Sequence, residues 1–148
     1  KQTKQPPLWL FVKGDPQVLA QQQLAMVGSR QPTPTGRKVA QSFAAELSQQ
    51  GYVITSGMAC GIDSESHKGA LQAGGLTIAV LGHGLEQVYP ASNKALAQAI
   101  AEQYGCAVRT IAEIAAAKDI GEDKKRASVE AIIVVEVEPD LYFVAFRF

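Results

Sequence analysis

Three short glycine-bearing segments hold the residues best able to do chemistry: Gly28-Ser29-Arg30, the run from Thr55 through Ser56, Gly57 and Gly61 to Asp63, and Gly82-His83-Gly84. Each follows a short apolar run, and the second and third of these runs are rich in β-branched residues. Glycine lets the backbone approach a ligand closely and leaves amide N–H groups free to point at it. Ser29 and Ser56 add hydroxyl donors, and Arg30 adds a guanidinium. The first two segments lead into helical stretches, whose N-terminal amides favour an anion. That combination suits a phosphate. One glycine after a strand is ordinary turn chemistry, whereas three such turns on one rim favour a site.

Other residues invite sharper readings, each with a plainer rival. Asp63 and His67 stand four apart on one helix face, a spacing that could serve acid-base work. The plainer expectation is that Asp63 caps the helix N-terminus and His67 bonds a neighbouring loop. Ser56 lacks the G-x-S-x-G setting of a nucleophile. His83 either touches a ligand or is a turn residue, and Tyr89 either stiffens the loop with Pro90 or stacks on a base. Lys124, Lys125 and Arg126 follow Glu122-Asp123 and read as a solvated mixed-charge loop, with a backbone contact as the alternative. No catalytic residue, metal or cofactor is expected. G-x-G-x-x-G is missing after the first strand and the Walker pattern is absent, which disfavours an NAD enzyme or a P-loop ATPase.

The elements that must position these residues alternate regularly. Leu24–Val27, Tyr52–Thr55 and Thr77–Leu81 read as strands, each followed by a glycine turn and a helix. The helices are expected at about 35–50, 63–73 and 93–104, the first with Val39, Phe43, Ala44 and Leu47 as its apolar stripe and Gly51 as its stop. Leu96 and Ile100 should face the sheet. Before these units, Leu8–Val12 reads as an extended segment followed by a turn or short helix. After them, Val108–Ala117 reads as a helix, and Ala131–Glu138 with Leu141–Phe148 as two strands joined at Pro139-Asp140. The expected class is therefore α/β, a Rossmann-like three-layer fold: a mostly parallel sheet with helices on both faces and an antiparallel hairpin at the C-terminal edge. A single domain is expected over 1–148, with a lead-in at 1–23, a core at 24–105 and a completing segment at 106–148. In such a sheet the loops after the strands share one rim, and ligands bind near the point where strand order reverses.

Composition bounds the rest. The chain has 148 residues, 47% of them hydrophobic, enough for a real core. Its 14 Lys plus Arg balance 14 Asp plus Glu, so an anion site must be local. Cys60 and Cys106 read as small buried residues in a reducing compartment. No apolar run approaches the roughly 20 residues of a membrane span, and the polar start is not a signal peptide, so a cytoplasmic location without membrane contact is expected.

Val27-Gly28-Ser29-Arg30, then Thr55-Ser56-Gly57-Met58-Ala59-x-Gly61-Ile62-Asp63-x-x-x-His67-x-x-Ala70-Leu71, then Thr77-Ile78-Ala79-Val80-Leu81-Gly82-x-Gly84-Leu85 and Tyr89-Pro90 follow one another in order. Together they resemble the core of the DNA-processing protein A (DprA/Smf) family, with Pro7–Gly14 similar to its lead-in. The resemblance covers about residues 6–105; beyond it only Ala131–Glu136 is similar to a family strand. It implies a Rossmann-like domain that binds single-stranded DNA in a pocket on this rim. It also implies a homodimer, and delivery of the strand to a RecA-type recombinase during natural transformation. Arg30 would hold a phosphate, with Gly28, Ser29, Ser56 and Gly57 lining the pocket. A nucleotide-binding or nucleotide-hydrolysing protein is the rival reading, disfavoured because P-G-G-x-G-T is missing, and a folded scaffold without retained activity is the third.

Overall fold

The computed structural model describes residues 10–82, 85, 87–102, 106–110, 131–138 and 141–146, with those from 106 onward described through their backbone. Among these residues seven strands form one sheet: β1 (Leu10–Gly14), β2 (Gln23–Gly28), β3 (Val53–Ser56), β4 (Thr77–Val80), β5 (Cys106–Thr110), β6 (Ala131–Glu138) and β7 (Leu141–Phe146). Three helices, α1 (Pro34–Gln49), α2 (Ile62–Gln72) and α3 (Lys94–Glu102), link β2 to β5 in succession, and a 3-10 helix at Pro16–Ala20 links β1 to β2. The strand order is β1-β5-β4-β3-β2-β7-β6. Strands β2 to β5 pair in parallel, while β1 joins β5 and β7 joins β2 antiparallel. The expected hairpin is present as the β6/β7 pair at one edge, and its turn at 139–140 lies outside the described residues.

Local chemistry sets the helix ends. The Thr33 hydroxyl accepts a hydrogen bond from the Gly36 amide at 3.0 Å, and Pro34 opens α1 where its missing N–H costs nothing. At the other end Tyr52 N–H reaches Leu47 O at 3.1 Å and Gly51 N–H reaches Ser48 O at 3.0 Å, with Gly51 at φ +90°. This double closure needs a left-handed residue and turns the chain directly into β3. Gly74, at φ +70°, ends α2 in the same way and delivers the chain to β4.

The succession β2, β3, β4, β5 advances across the sheet without turning back. Right-handed crossovers laid in one direction deposit every helix on the same face. Accordingly Met26, Ile54 and Ala79 meet α1, α2 and α3 through Ala40, Ala44, Ile62, Ala70, Ala97 and Ile100. Residues one position along, Val53 and Ile78, point to the opposite face and pack against Val18 and Leu19 of the 3-10 helix. The Rossmann-like α/β class holds, but the expected helices on both faces are matched on this second face, among the described residues, only by that short turn. No reversal of strand order occurs among the described parallel strands either, so the site cannot sit at one.

Two further expectations are corrected. Residues 108–110 end β5 instead of starting a helix; all three pair with β1 and β-branched Val108 pairs with β4 as well, which satisfies the backbone as a strand, while 111–117 lie outside the described residues. Phe43 is 40% exposed, and the buried line on α1 is Gly36, Ala40 and Ala44. The cause is the closeness of α1 to α2, where a Cβ on Gly69 would meet the Gln41 carbonyl and lie 2.9 Å from Ala44 Cβ. Only small residues fit that seam. Beside it, Glu65 of α2, 6% exposed, takes a hydrogen bond from Gln41 and ion pairs from Lys68 at 2.9 Å and Arg37 at 3.7 Å.

Gly69→Ala should therefore overpack the α1/α2 seam and lower stability by about 1–3 kcal/mol, read as a shift in urea midpoint at constant slope. Gly82→Ala places its Cβ where nothing lies within 4 Å and should stay within about 0.5 kcal/mol of the parent. Equal responses would contradict this account of the seam.

Candidate functional site

At the carboxyl edge of the parallel strands the connecting segments enclose a cleft of about 340 Å³. Arg30 comes from the segment after β2, Gly57 to Cys60 and Asp63 from the β3/α2 junction, Val80 to Gly82 from the end of β4, and Tyr89 and Pro90 from the approach to α3. At least one residue of each expected turn, Arg30, Gly57 and Gly82 among them, thus reaches one ledge.

Backbone packing locks these segments together. The Ile62 amide donates to Ser29 O at 3.1 Å, which ties the start of α2 to the segment after β2. Gly61, at φ +90°, lies against that segment so closely that a Cβ would collide with the Ser29 carbonyl and sit 2.8 Å from Pro32 Cδ. The Ser29 hydroxyl accepts from the Gln31 amide at 3.0 Å and shapes the turn that carries Arg30. From the other side Asn93, 8% exposed, donates to Met58 O at 2.8 Å and to Ser64 Oγ at 2.9 Å, while Ser64 donates to Ala59 O at 2.6 Å.

Asp63 and His67 both converge on Gly57, from different depths. The α2 N-cap is Gly61, with no side-chain cap, so Asp63 is not the expected capping residue. Its Oδ2 instead accepts from the Ala59 amide at 3.3 Å and fills the space beside Gly57, 2.6 Å from where a Cβ would be. Burial pushes the Asp63 carboxyl up from 3.8 to about 6, against the Ala59 amide, the Ser56 hydroxyl and the Arg30 charge. The Ser56 contribution is small, because its single hydroxyl proton is donated to Met26 O at 2.6 Å. His67 is sealed in the core, where burial lowers its pKa from 6.5 to about 4 against the Gly57 hydrogen bond. Its Nε2 is 2.7 Å from Gly57 O, a group that only accepts, so the neutral ring carries its proton there. Its Nδ1 lies 2.6 Å from Thr77 Oγ1, which is also 2.6 Å from Ile54 O. His67 thus bonds a neighbouring loop, as expected, and holds the β3/α2 junction from beneath.

Of the sequence-derived candidates, Arg30, Gly57, Asp63, Gly82 and Tyr89 line the cleft. Ser56, 3% exposed, and His67 lie beneath it, and Gly28, Ser29 and Gly61 shape the segments behind it. His83, Gly84, Lys124, Lys125 and Arg126 lie outside the described residues. Sequence reasoning missed Met58, Leu81 and Pro90 as lining groups and placed Cys60 in the core, whereas its thiol is exposed in the cleft, 3.9 Å from Ser92 Oγ. The position of Cys60 in a loop, between Ala59 and Gly61, was the available signal. Among the described residues no group of three His, Cys, Asp or Glu side chains could hold a metal. Among them, too, no helix is long and apolar enough to cross a membrane.

A parallel sheet with a loop-lined cleft at its carboxyl edge defines a Rossmann-like ligand-binding fold. The chain belongs to the DNA recombination-mediator protein A family, which matches residues 1–124. It is 44% identical over 99 residues to Protein Smf of Escherichia coli (strain K12), covering 67% of this chain and 26% of that protein. It is 39% identical over 100 residues to DNA processing protein DprA of Bacillus subtilis (strain 168), covering 67% and 34%. It thus spans about a quarter to a third of the length of these relatives. The solved structure of DprA from Streptococcus pneumoniae superposes with a TM-score of 0.63 at 40% identity, over 68% of this chain and 35% of that one. DNA processing protein A from Helicobacter pylori, solved for its single-stranded DNA binding mode, gives 0.66 at 34%, over 72% and 48%.

The two shifted groups oppose each other in stability. His67 favours the fold when neutral, so its contribution is complete above pH 6.5 and is lost, by about 3 kcal/mol, as pH falls through about 4. Asp63 favours the fold when protonated, so its contribution is complete below pH 3.8 and is lost as pH rises through about 6. Asp63→Asn should remove the opposing slope and leave stability rising steeply with pH between 4 and 6.5, measured by urea unfolding at half-unit steps. A variant with the parent's profile would refute the assignment.

Proposed function

We propose that this chain is a single-stranded DNA-binding domain of the DNA-processing protein A type, acting without a chemical step in DNA uptake and recombination. The observation that carries this reading is the convergence of three post-strand segments on one cleft with Arg30 at its mouth. Arg30 is exposed, and among the described residues the ion pairs are Arg37–Glu65 and Lys68–Glu65, which leaves its guanidinium for a ligand. Phosphates would lie along the ledge, taking charge from Arg30 and direction from the amides around Gly57 and Gly82. Tyr89, 76% exposed, offers a ring against which a base can stack. The non-enzymatic reading is supported by His67, which is sealed from the cleft and cannot exchange protons with a substrate.

The family and its relatives support the single-stranded DNA reading. We further propose a cytoplasmic domain that works as a homodimer and hands its strand to a RecA-type recombinase. We take residues 1–148 as one domain, in which β5, β6 and β7 complete the sheet begun by the core.

Binding of labelled oligothymidine should weaken with salt by about 0.7 log units per log unit for each phosphate neutralised. Arg30→Ala should lower affinity by about tenfold to a hundredfold, the worth of one hydrogen bond to a charged group, and flatten that slope by one phosphate. An unchanged titration would remove Arg30 from the interface.

A further inference from the structure

A carboxyl group is an odd lining for a cleft that receives phosphates, and Asp63 is held there by geometry. Its Oδ2 fills the gap that Gly57 leaves by having no side chain and accepts from the Ala59 amide at 3.3 Å. That amide is one of the donors the β3/α2 junction would otherwise present to an anion. The Ser56 hydroxyl, which could have satisfied the carboxylate, gives its proton to Met26 O instead. Arg30 lines the same cleft and acts on the carboxyl through its charge.

We propose that Asp63 sets the charge selectivity of this cleft: its ionised carboxyl competes with a phosphodiester for the Ala59 amide and for the field of Arg30, so the strand binds tightly only as Asp63 takes up a proton. The inference rests on the single-stranded DNA reading above. Its thermodynamics are those of linkage: an anion that prefers the neutral carboxyl raises the proton affinity of that carboxyl by the same factor. With the free carboxyl titrating at about 6, affinity should climb as pH falls toward that value and level off below it.

Among the described residues, these groups share the cleft with Asp63 or act on its carboxyl. Arg30 comes from the segment after β2, Ser56 and Gly57 from the end of β3, the Cys60 thiol from the junction itself, and Tyr89 from the approach to α3. On α2, His67 is turned to the core, and Glu65 is paired with Lys68 and with Arg37 of α1.

The test is a titration of labelled oligothymidine at constant low salt from pH 5.5 to 7.5, in a Cys60→Ser background that removes the thiol from the cleft. Thymine has no group titrating in that range, so a pH response belongs to the protein. The background protein should lose affinity by about tenfold across the range, the equivalent of one unit of coupling. Asp63→Asn keeps the size and polarity of the side chain; it should bind about tenfold tighter at pH 7.5 and show no pH response. A variant that binds more weakly, or one that keeps the parent's pH profile, overturns the role of Asp63 while leaving the DNA reading intact. Absence of oligothymidine binding by the unaltered protein at every pH overturns the DNA reading and this inference with it. Carbon-13 NMR of the Asp63 carboxyl in the unaltered chain gives a second measurement that needs no variant. Its midpoint should move up by about one unit when oligothymidine is added, and an unmoved midpoint overturns the proposal.

Discussion

A parallel strand can follow its predecessor only after the chain has crossed back over the sheet, and the crossing has a fixed hand. Because β2, β3, β4 and β5 are laid side by side in one direction, that rule decides two things at once: the three helices share one face, and the three segments that leave the strands share one rim. Nothing about a ligand enters the rule. The cleft exists because the topology delivers small-residue corners to the same place, and side chains then adjust its walls.

Those side chains serve mainly as fasteners. Asn93, Ser64 and His67 spend their polar atoms on the carbonyls of Met58, Ala59 and Gly57, each from a buried or nearly buried position. Each carbonyl held from behind fixes the plane of the following peptide, and so aims the next amide. The result is a main-chain surface that is rigid without a ligand, the arrangement that lowers the ordering cost of binding. The α1/α2 seam continues the same logic further out, since Gly69 and Ala44 let the two helices approach until backbone meets backbone.

What could be read from the sequence followed from periodicity and punctuation. Strand, glycine turn and helix recur three times, and positive-φ Gly51 ends a helix where its place after an apolar stripe announces it. What could not be read depended on which of two neighbours wins a contact. Phe43 fits the helical spacing of α1 as well as Ala44 does, yet the width of the seam, set by Gly69 on another helix, excludes a ring. Residues 108–110 looked helical as an isolated stretch; pairing with β1 along all three, and with β4 at Val108, made them part of β5. Asp63 stands at a helix start in sequence, but Gly61 takes the capping position and leaves the carboxyl to turn toward Gly57. Ser56 and His67 were legible as important and not as buried, because burial depends on the depth at which α2 crosses β3.

The balanced charge of the chain bears on how an anion site can hide in a sequence. A census of Lys, Arg, Asp and Glu counts formal charges, and here it sums to zero. Peptide dipoles are missing from that census, although several amides aimed at one point create a positive field without any basic residue. One guanidinium added to such a field can hold a phosphate where many surface lysines would otherwise be needed. One carboxylate placed in it opposes that attraction strongly, since like charges about 4 Å apart repel by about 4 kcal/mol at the effective dielectric of a protein surface. The electrostatic character of this cleft is therefore decided by a few oriented amides, Arg30 and Asp63, and overall composition has little say in it.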